Sequence, residues 1–121
     1  MNSHMDLEAW KNSLNLVDRI YLLTKSFPKE EKDTLTDQIR KSSRAVSALI
    51  AEAWTHRNYP KSFISKLTNS KGEVDETGVS IDFAEAHYYI SKEERQYLLK
   101  KYYEVIEMLN NMINEREQYC Q

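Results

Sequence analysis

Glycine and proline are scarce in this sequence, with two of each among 121 residues. An all-β sandwich or barrel needs turn residues at intervals of about 8–12 positions, so the scarcity argues against those architectures. Leucine, glutamate and lysine, which favour helices, are abundant instead. We therefore predict an all-α protein of long helices, with the size of a single domain.

Cysteine is almost absent and long apolar runs are absent. Cys120 is the single cysteine and cannot form an intrachain disulfide, which favours a reducing cytosol. No apolar run reaches the roughly 20 residues that cross a bilayer, and no basic-then-apolar leader indicates secretion. We expect a cytoplasmic protein. Residues 1–5 (Met-Asn-Ser-His-Met) are typical of an expression-vector remnant before the native start, so the predicted domain spans 6–121.

Four segments carry apolar residues at spacings of three and four, which predicts four amphipathic helices. They span about 6–27, 30–56, 60–88 and 92–119. Short connections force consecutive helices to lie side by side and antiparallel. The predicted architecture is therefore an up-down-up-down antiparallel four-helix bundle.

The helix ends carry recognisable signals. Asp6 is placed to cap the first helix, and Phe27, which precedes a proline, is expected to end it. Pro60 suits the first turn of the third helix, where its missing N–H is harmless. Ser91 followed three residues later by Glu94 predicts a capping box for the fourth.

Each helix has a predicted core stripe, meaning the row of residues expected to face the core. In the third and fourth helices the separation between successive stripe residues alternates strictly between four and three positions. The first helix has Leu7, Trp10, Leu14, Val17, Tyr21 and Phe27, and the second has Leu35, Ile39, Ser42 or Ser43, Val46, Leu49 or Ile50, and Ala53. The third has Phe63, Leu67, Ser70, Val74, Thr77, Ile81, Ala84 and Tyr88. The fourth has Leu98, Tyr102, Val105, Leu109, Met112, Arg116 and Tyr119.

Small residues dominate 42–53, so the closest helix packing is expected there. Gly72 and Gly78 lie inside the third helix, where each costs about 1 kcal/mol relative to alanine. We expect close packing against another helix to compensate for them, and a local kink is the alternative.

Apolar and aromatic residues also fall outside these stripes, and the Tyr88–Tyr89 and Tyr102–Tyr103 pairs cannot both point inward. Tyrosine is enriched at protein interfaces because it is large and has a polar tip. The surplus predicts self-association. Its members are Leu22, Leu23, Ile64, Phe83, Tyr89, Leu99, Tyr103, Ile106 and Ile113.

The net charge of −2 is distributed unevenly. Residues 40–72 contain seven basic side chains and one acidic, a net +6, whereas residues 73–94 contain seven acidic and one basic, a net −6. The basic stretch could bind nucleic-acid phosphates, or could be a solvated face or a subunit-pairing surface. The candidate nucleic-acid-binding residues are Arg40, Lys41, Arg44, Arg57 and Lys61.

No constellation typical of catalysis is present in the sequence. A di-iron bundle needs a glutamate three residues before a histidine on two helices, whereas Glu52 and His56 are four apart and have no second copy. Gly-rich phosphate loops and nucleophile elbows are missing. We expect no enzyme activity, no metal and no cofactor.

Several stretches together carry a family resemblance. They are Asp6-Leu7-Glu8-Ala9-Trp10, Phe27-Pro28-Lys29-Glu30-Glu31, Leu35-Thr36-Asp37-Gln38-Ile39-Arg40-Lys41, Ile50-Ala51-Glu52, Phe63 with Leu67, Gly72-Glu73 with Glu76, and Tyr89-Ile90-Ser91-Lys92-Glu93-Glu94. In order and spacing, over residues 6–113, the chain resembles the bacterial four-helix-bundle proteins encoded in intervening sequences of large-subunit ribosomal RNA genes. That family includes the accessory variability determinant of diversity-generating retroelements.

The resemblance implies a ring of five bundles around a central channel. In the retroelement branch the ring is basic, binds nucleic acid and partners a reverse transcriptase. Two functions follow as expectations for this chain. One is a homo-oligomeric accessory protein that binds RNA or DNA. The other is a scaffold that docks a protein such as a reverse transcriptase and does not touch nucleic acid.

Overall fold

The computed structural model describes residues 2–121. That part of the chain contains four α-helices and no strand: α1 (Glu8–Thr24), α2 (Leu35–Thr55), α3 (Pro60–Ala86) and α4 (Lys92–Asn114). Three single-turn 3₁₀ helices flank them, at His4–Asp6, Lys29–Glu31 and Arg116–Gln118. The all-α prediction is confirmed. Of the predicted remnant 1–5, Met1 lies outside the described residues, whereas the His4 ring packs edge-on against Trp10.

The four helices form an antiparallel square. Contacts between α2 and α3 pair Val46 with Ser70 and Ser42 with Thr77, so the residue number falls on one helix as it rises on the other. The contacts of Lys71 with Asn110 and of Asp82 with Arg95 show the same antiparallel arrangement for α3 and α4. Each helix packs against its two neighbours, as an up-down-up-down bundle requires. No helix within residues 2–121 combines the length and apolarity needed to cross a membrane.

The most extensive contact joins α2 and α3, which confirms the prediction from the small residues of α2. Ser70 donates to the Val46 carbonyl at 2.9 Å, and Thr77 donates to the Ser42 hydroxyl at 2.7 Å. Between α1 and α2, the Ser13 and Ser47 hydroxyls lie 2.8 Å apart in the core. Because these hydroxyls are hydrogen-bonded, they can be buried without the penalty of an unsatisfied polar group.

The predicted stripes of α2, α3 and α4 are largely confirmed, with Ser42, Ser43 and Ile50 all buried. Two positions at the ends of stripes are wrong: Tyr88 is 93% exposed and Arg116 is exposed.

The stripe predicted for α1 is wrong by about one residue within the helix, whereas its two outermost members, Leu7 and Phe27, are buried as predicted. The side chains facing the core are Ala9, Ser13, Leu16, Ile20 and Thr24. Trp10, Leu14 and Val17 are half-buried beside them and Tyr21 is exposed. Thr24 is accommodated because its hydroxyl donates to the Ile20 carbonyl at 2.8 Å.

Several helix ends also differ from the prediction. α1 ends at Thr24, α2 begins at Leu35 after the separate 3₁₀ turn Lys29–Glu31, and α4 ends at Asn114. The Asp6 carboxylate accepts the backbone N–H groups of Asn2 and Ser3, and so it does not cap α1.

The predicted capping box of α4 is only half formed. The Ser91 hydroxyl accepts the Glu94 N–H at 3.0 Å. The Glu94 carboxylate turns away and forms an ion pair with Arg19 of α1, at 2.7 Å. Glu94 therefore helps to hold α4 against α1.

A Schellman motif ends α3, with Tyr88 in the left-handed region at φ 63°. The Tyr89 N–H donates to the Ala84 carbonyl at 2.8 Å, and the Tyr88 N–H donates to the Glu85 backbone carbonyl at 2.9 Å. Glycine is the usual residue at this position because it has no Cβ.

The glycines of α3 are not sites of close packing, contrary to expectation. A Cβ at Gly72 would meet no atom within 4 Å, and one at Gly78 would meet only the Leu99 Cδ2 at 3.8 Å. The expected compensation for these two residues is therefore missing.

Candidate nucleic-acid interface

The outer face of α2 presents Lys41 and Arg44 to solvent. Lys41 pairs with Asp37 one turn earlier, with 3.0 Å between Nζ and Oδ2, and its side chain is 76% exposed. Such an exposed pair is worth little and can exchange for another anion. Arg44 is exposed and forms no ion pair with any residue of 2–121. These two cations are available to a phosphate backbone.

Arg40, one turn before Arg44, is half-buried and engaged within the fold. Its Nε donates to the Thr24 hydroxyl at 2.8 Å, and its guanidinium lies 4.7 Å from the centre of the Tyr21 ring. Arg40 therefore ties α2 to α1, and only part of its guanidinium can contact a ligand.

Arg57 and Lys61 lie at the connection between α2 and α3. The Arg57 guanidinium lies 4.1 Å from the centre of the Trp54 ring and donates to the Trp54 carbonyl at 2.9 Å. Lys61 is exposed in the first turn of α3. His56, in the same connection, has its Nδ1 2.8 Å from the Ser62 hydroxyl.

The five candidate residues form two groups: one on α2, with Arg40, Lys41 and Arg44, and one at the α2–α3 connection, with Arg57 and Lys61. Arg44 lies 11 positions before Thr55, the last residue of α2, which corresponds to about 16 Å of helix, and Arg57 follows in the connection. A small anion cannot contact both groups, whereas an extended polyanion can.

The other cations of the basic stretch already have partners. Lys66 pairs with Glu52 at 3.5 Å, and Lys71 donates to the Asn110 side chain at 2.9 Å. Lys66 and Lys71 are therefore less available to a ligand than Arg44 and Lys61. In the acidic stretch of residues 73–94, burial and the neighbouring Glu76 carboxylate raise the pKa of Glu73.

A cavity of about 470 Å³ lies at the end of the bundle where α2 meets the C-terminal residues. We call it the end pocket. Trp54 was not among the sequence candidates. The signal that could have found it is an aromatic residue three positions before an arginine at the end of a helix. The lining residues are Trp54, Arg57, Asn58, Gln118, Tyr119 and Gln121.

A second concavity, of about 300 Å³, runs between α3 and α4 and combines apolar walls with carboxylates. The Tyr102 side chain is buried beside it, and its hydroxyl has no hydrogen-bond partner among the described residues. Burial raises the pKa of that phenol far above its ordinary value. The groove is lined by Val74, Asp75, Gly78, Asp82, Leu99, Tyr102, Tyr103 and Ile106.

Metal and thiol chemistry find little support in the geometry. Within the described part of the chain, no three His, Cys, Asp or Glu side chains converge as a metal ion would require. Burial raises the pKa of the Cys120 thiol, which is opposite to the shift that activates a cysteine nucleophile.

Similarity to known proteins extends over most of the chain. The sequence model of the family described as 23S rRNA-intervening sequence protein matches residues 5–111. A solved structure of a protein of unknown function from Bacteroides thetaiotaomicron, of the S23 ribosomal protein family, superposes with a TM-score of 0.78. The sequences are 26% identical, over 88% of this chain and 95% of that one. Comparison with curated proteins gives no match.

Proposed function

The chain belongs to the 23S rRNA-intervening sequence protein family, and from this premise we propose that it is a non-enzymatic, homo-oligomeric accessory protein of the cytoplasm that binds RNA or DNA. The contacts are made to the phosphate backbone by cations of α2 and of the α2–α3 connection. Arg44, Lys41, Lys61 and Arg57 carry most of the binding, and Arg40 adds a partial contact.

The observation that carries this proposal is the exposure of Arg44 and Lys61, which form no ion pair with the described residues. Cations in this state can neutralise phosphates without first breaking a protein contact, and each neutralised phosphate releases a counterion. The separation of Arg44 from the end of α2 by about 16 Å of helix suits a polymer better than a single phosphate.

Self-association is supported by large apolar side chains that lie on the outside of the bundle. Val79 and Phe83 are 54% and 53% exposed on α3, and Tyr103 is 66% exposed on α4. Burying them against another copy would remove apolar area from water at about 25 cal/mol per Å². By family resemblance the proposed assembly is a ring of five.

A titration tests the proposal. The purified protein, its mass in solution known from light scattering, is added to labelled structured RNA and duplex DNA at about 50 and about 200 mM salt. We expect binding that weakens steeply with salt. Lys41→Glu with Arg44→Glu should abolish most of it.

The matched control for that variant is Lys32→Glu with Lys100→Glu. It changes the net charge equally at exposed lysines that form no ion pair with the described residues. Wild-type protein that fails to bind either nucleic acid at low salt, or a control variant as weak as the α2 variant, would overturn the assignment.

A protein-interaction scaffold is the second candidate, favoured by the groove between α3 and α4. The exposed Tyr103 and the carboxylate of Asp75 suit a partner with apolar and basic side chains, such as a segment of a reverse transcriptase, whereas Asp82 is already paired with Arg95 at 2.9 Å. On this alternative, a partner protein binds and nucleic acid does not. Tyr103→Lys would then weaken partner binding, and Lys41→Glu with Arg44→Glu would leave it unchanged.

A further inference from the structure

The end pocket brings together a cation, two aromatic rings and several amides from separate parts of the chain. Trp54 lies in the last turn of α2, and Arg57 and Asn58 follow in the connection to α3. Tyr119 comes from beyond α4, and its ring stacks on Phe63 with the centroids 5.8 Å apart. The core therefore fixes the positions of both aromatic walls.

Arg57 is held in place before any ligand arrives. Its guanidinium carbon lies over the Trp54 ring, 4.1 Å from the ring centre, and one N–H donates to the Trp54 carbonyl at 2.9 Å. No carboxylate within residues 2–121 pairs with it. Its remaining N–H groups, and the guanidinium face directed away from the indole, are available to a ligand.

The lining chemistry fits a planar, uncharged ring bearing hydrogen-bonding edges. Asn58, Gln118 and Gln121 each supply both a donor and an acceptor, and no carboxylate side chain lines the cavity. Arginine guanidinium planes and aromatic rings are the surfaces on which proteins stack unpaired bases. The volume of about 470 Å³ falls in the range of small-ligand pockets.

We propose that the end pocket binds one unpaired base of a single-stranded nucleic acid, with the Arg57 guanidinium sandwiched between the Trp54 indole and that base. The inference rests on the proposed nucleic-acid binding and adds a base contact to the backbone contacts. We assign the adjoining phosphate to Lys61, which is exposed in the first turn of α3 and follows Arg57 by four residues. The ligand class is therefore a single-stranded end or loop.

Two strands of about six nucleotides separate base binding from phosphate binding. One carries adenine at every position and the other has abasic sites throughout, so their phosphates are equal in number. Fluorescence anisotropy at fixed salt gives both dissociation constants. We expect the adenine strand to bind about five-fold or more tightly than the abasic strand, because a stacked base adds that much.

Variants identify the residue responsible. Arg57→Lys keeps the positive charge and loses the planar stacking surface, so it should remove the preference for the adenine strand while binding the abasic strand as wild type does. Lys61→Gln is the matched control and should weaken both strands by the same factor. Circular dichroism verifies the folding of each variant, and Arg57→Gln serves as a second variant of the same residue.

Equal binding of the two strands by wild-type protein overturns the inference. If both bind equally and duplex binding persists, the backbone contacts suffice and the proposed function stands. A preference that survives in both Arg57→Lys and Arg57→Gln would also overturn it, since the base would then lie elsewhere. If neither strand nor duplex binds, the inference and the proposed function fail together.

Discussion

The Nε of Arg40 in α2 donates a hydrogen bond to the Thr24 hydroxyl of α1 over 2.8 Å. Thr24 in turn donates to the Ile20 carbonyl, so the guanidinium joins a chain of hydrogen bonds that ends in the backbone of α1. Arg44, one turn later, has no such partner. Two arginines of one helix face thus differ in what they do for the fold.

Arg40→Ala should lower the free energy of unfolding by about 1 kcal/mol, because it removes a charged hydrogen bond at a partly buried site. Arg44→Ala should change it by less than about 0.5 kcal/mol, as is usual at exposed positions. Urea denaturation followed by circular dichroism measures both. Equal losses in the two variants would contradict this division of roles.

Tyr88→Gly should raise the free energy of unfolding by about 0.5–1 kcal/mol, because φ 63° strains a residue that has a Cβ. Tyr88→Ala retains the Cβ and is expected to leave stability nearly unchanged. Urea denaturation of both variants separates backbone strain from any effect of the exposed ring. A gain in the alanine variant equal to that in the glycine variant would show that strain is not the cause.

Gly72→Ala should also stabilise the protein, by about 0.5–1 kcal/mol, since alanine favours helices and the added methyl group meets no atom within 4 Å. Gly78→Ala should give a similar gain, because its methyl would make only an ordinary contact with Leu99. Thermal unfolding detects both changes. A loss of stability at Gly72 would point to a contact made in an oligomer.

Tyr102→Phe should raise stability by about 1 kcal/mol. The hydroxyl is buried without a hydrogen-bond partner in the described residues, so deleting it removes a desolvation penalty. Tyr103→Phe, at an exposed position one residue later, should be neutral. Urea midpoints compare the two, and destabilisation by Tyr102→Phe would mean that the hydroxyl is solvated or paired.

Acid should weaken the contact between the α1–α2 connection and the end of α3. Hydrogen bonds from the Thr34 and Tyr89 hydroxyls lower the pKa of Glu31 below its ordinary value of 4.5. A carboxylate whose pKa is lowered on folding contributes stability above its unfolded pKa, and the contribution is lost as pH falls through the folded pKa. Wild type should exceed Glu31→Gln in melting temperature near pH 7, and the difference should vanish well below pH 4.5. A difference that does not depend on pH would contradict the assignment.

Strict alternation of steps of four and three made the core positions of α3 and α4 predictable, and in α2 it left only two choices between neighbouring residues open. α1 was predicted on the wrong face because it carries two candidate stripes. The one that faces the core contains Ser13 and Thr24, whose polar identity hides their burial. Both hydroxyls donate to backbone carbonyls of α1 itself, and Ser13 has a further partner in Ser47 of α2, which the sequence of α1 does not reveal.

The candidate site shows a similar limit. Counting charges in the sequence identified Arg44 and Lys61, which are exposed in the structure. It could not distinguish them from Arg40, because the partner of Arg40, Thr24, lies 16 residues earlier in the chain. The end pocket needed Tyr119 from beyond α4 beside Trp54 of α2. Such a pocket depends on tertiary structure, although the spacing of Trp54 and Arg57 was visible in the sequence.

The α2–α3 contact bears on the order in which the chain folds. Only residues 56–59 separate these helices, and the entropy lost on closing a loop grows with its length. Ser42 and Thr77 meet across 35 residues of chain, whereas Arg19 and Glu94 meet across 75. We expect the α2–α3 hairpin to form the folding nucleus and to keep its amide protons longest in hydrogen exchange, with α1 docking late.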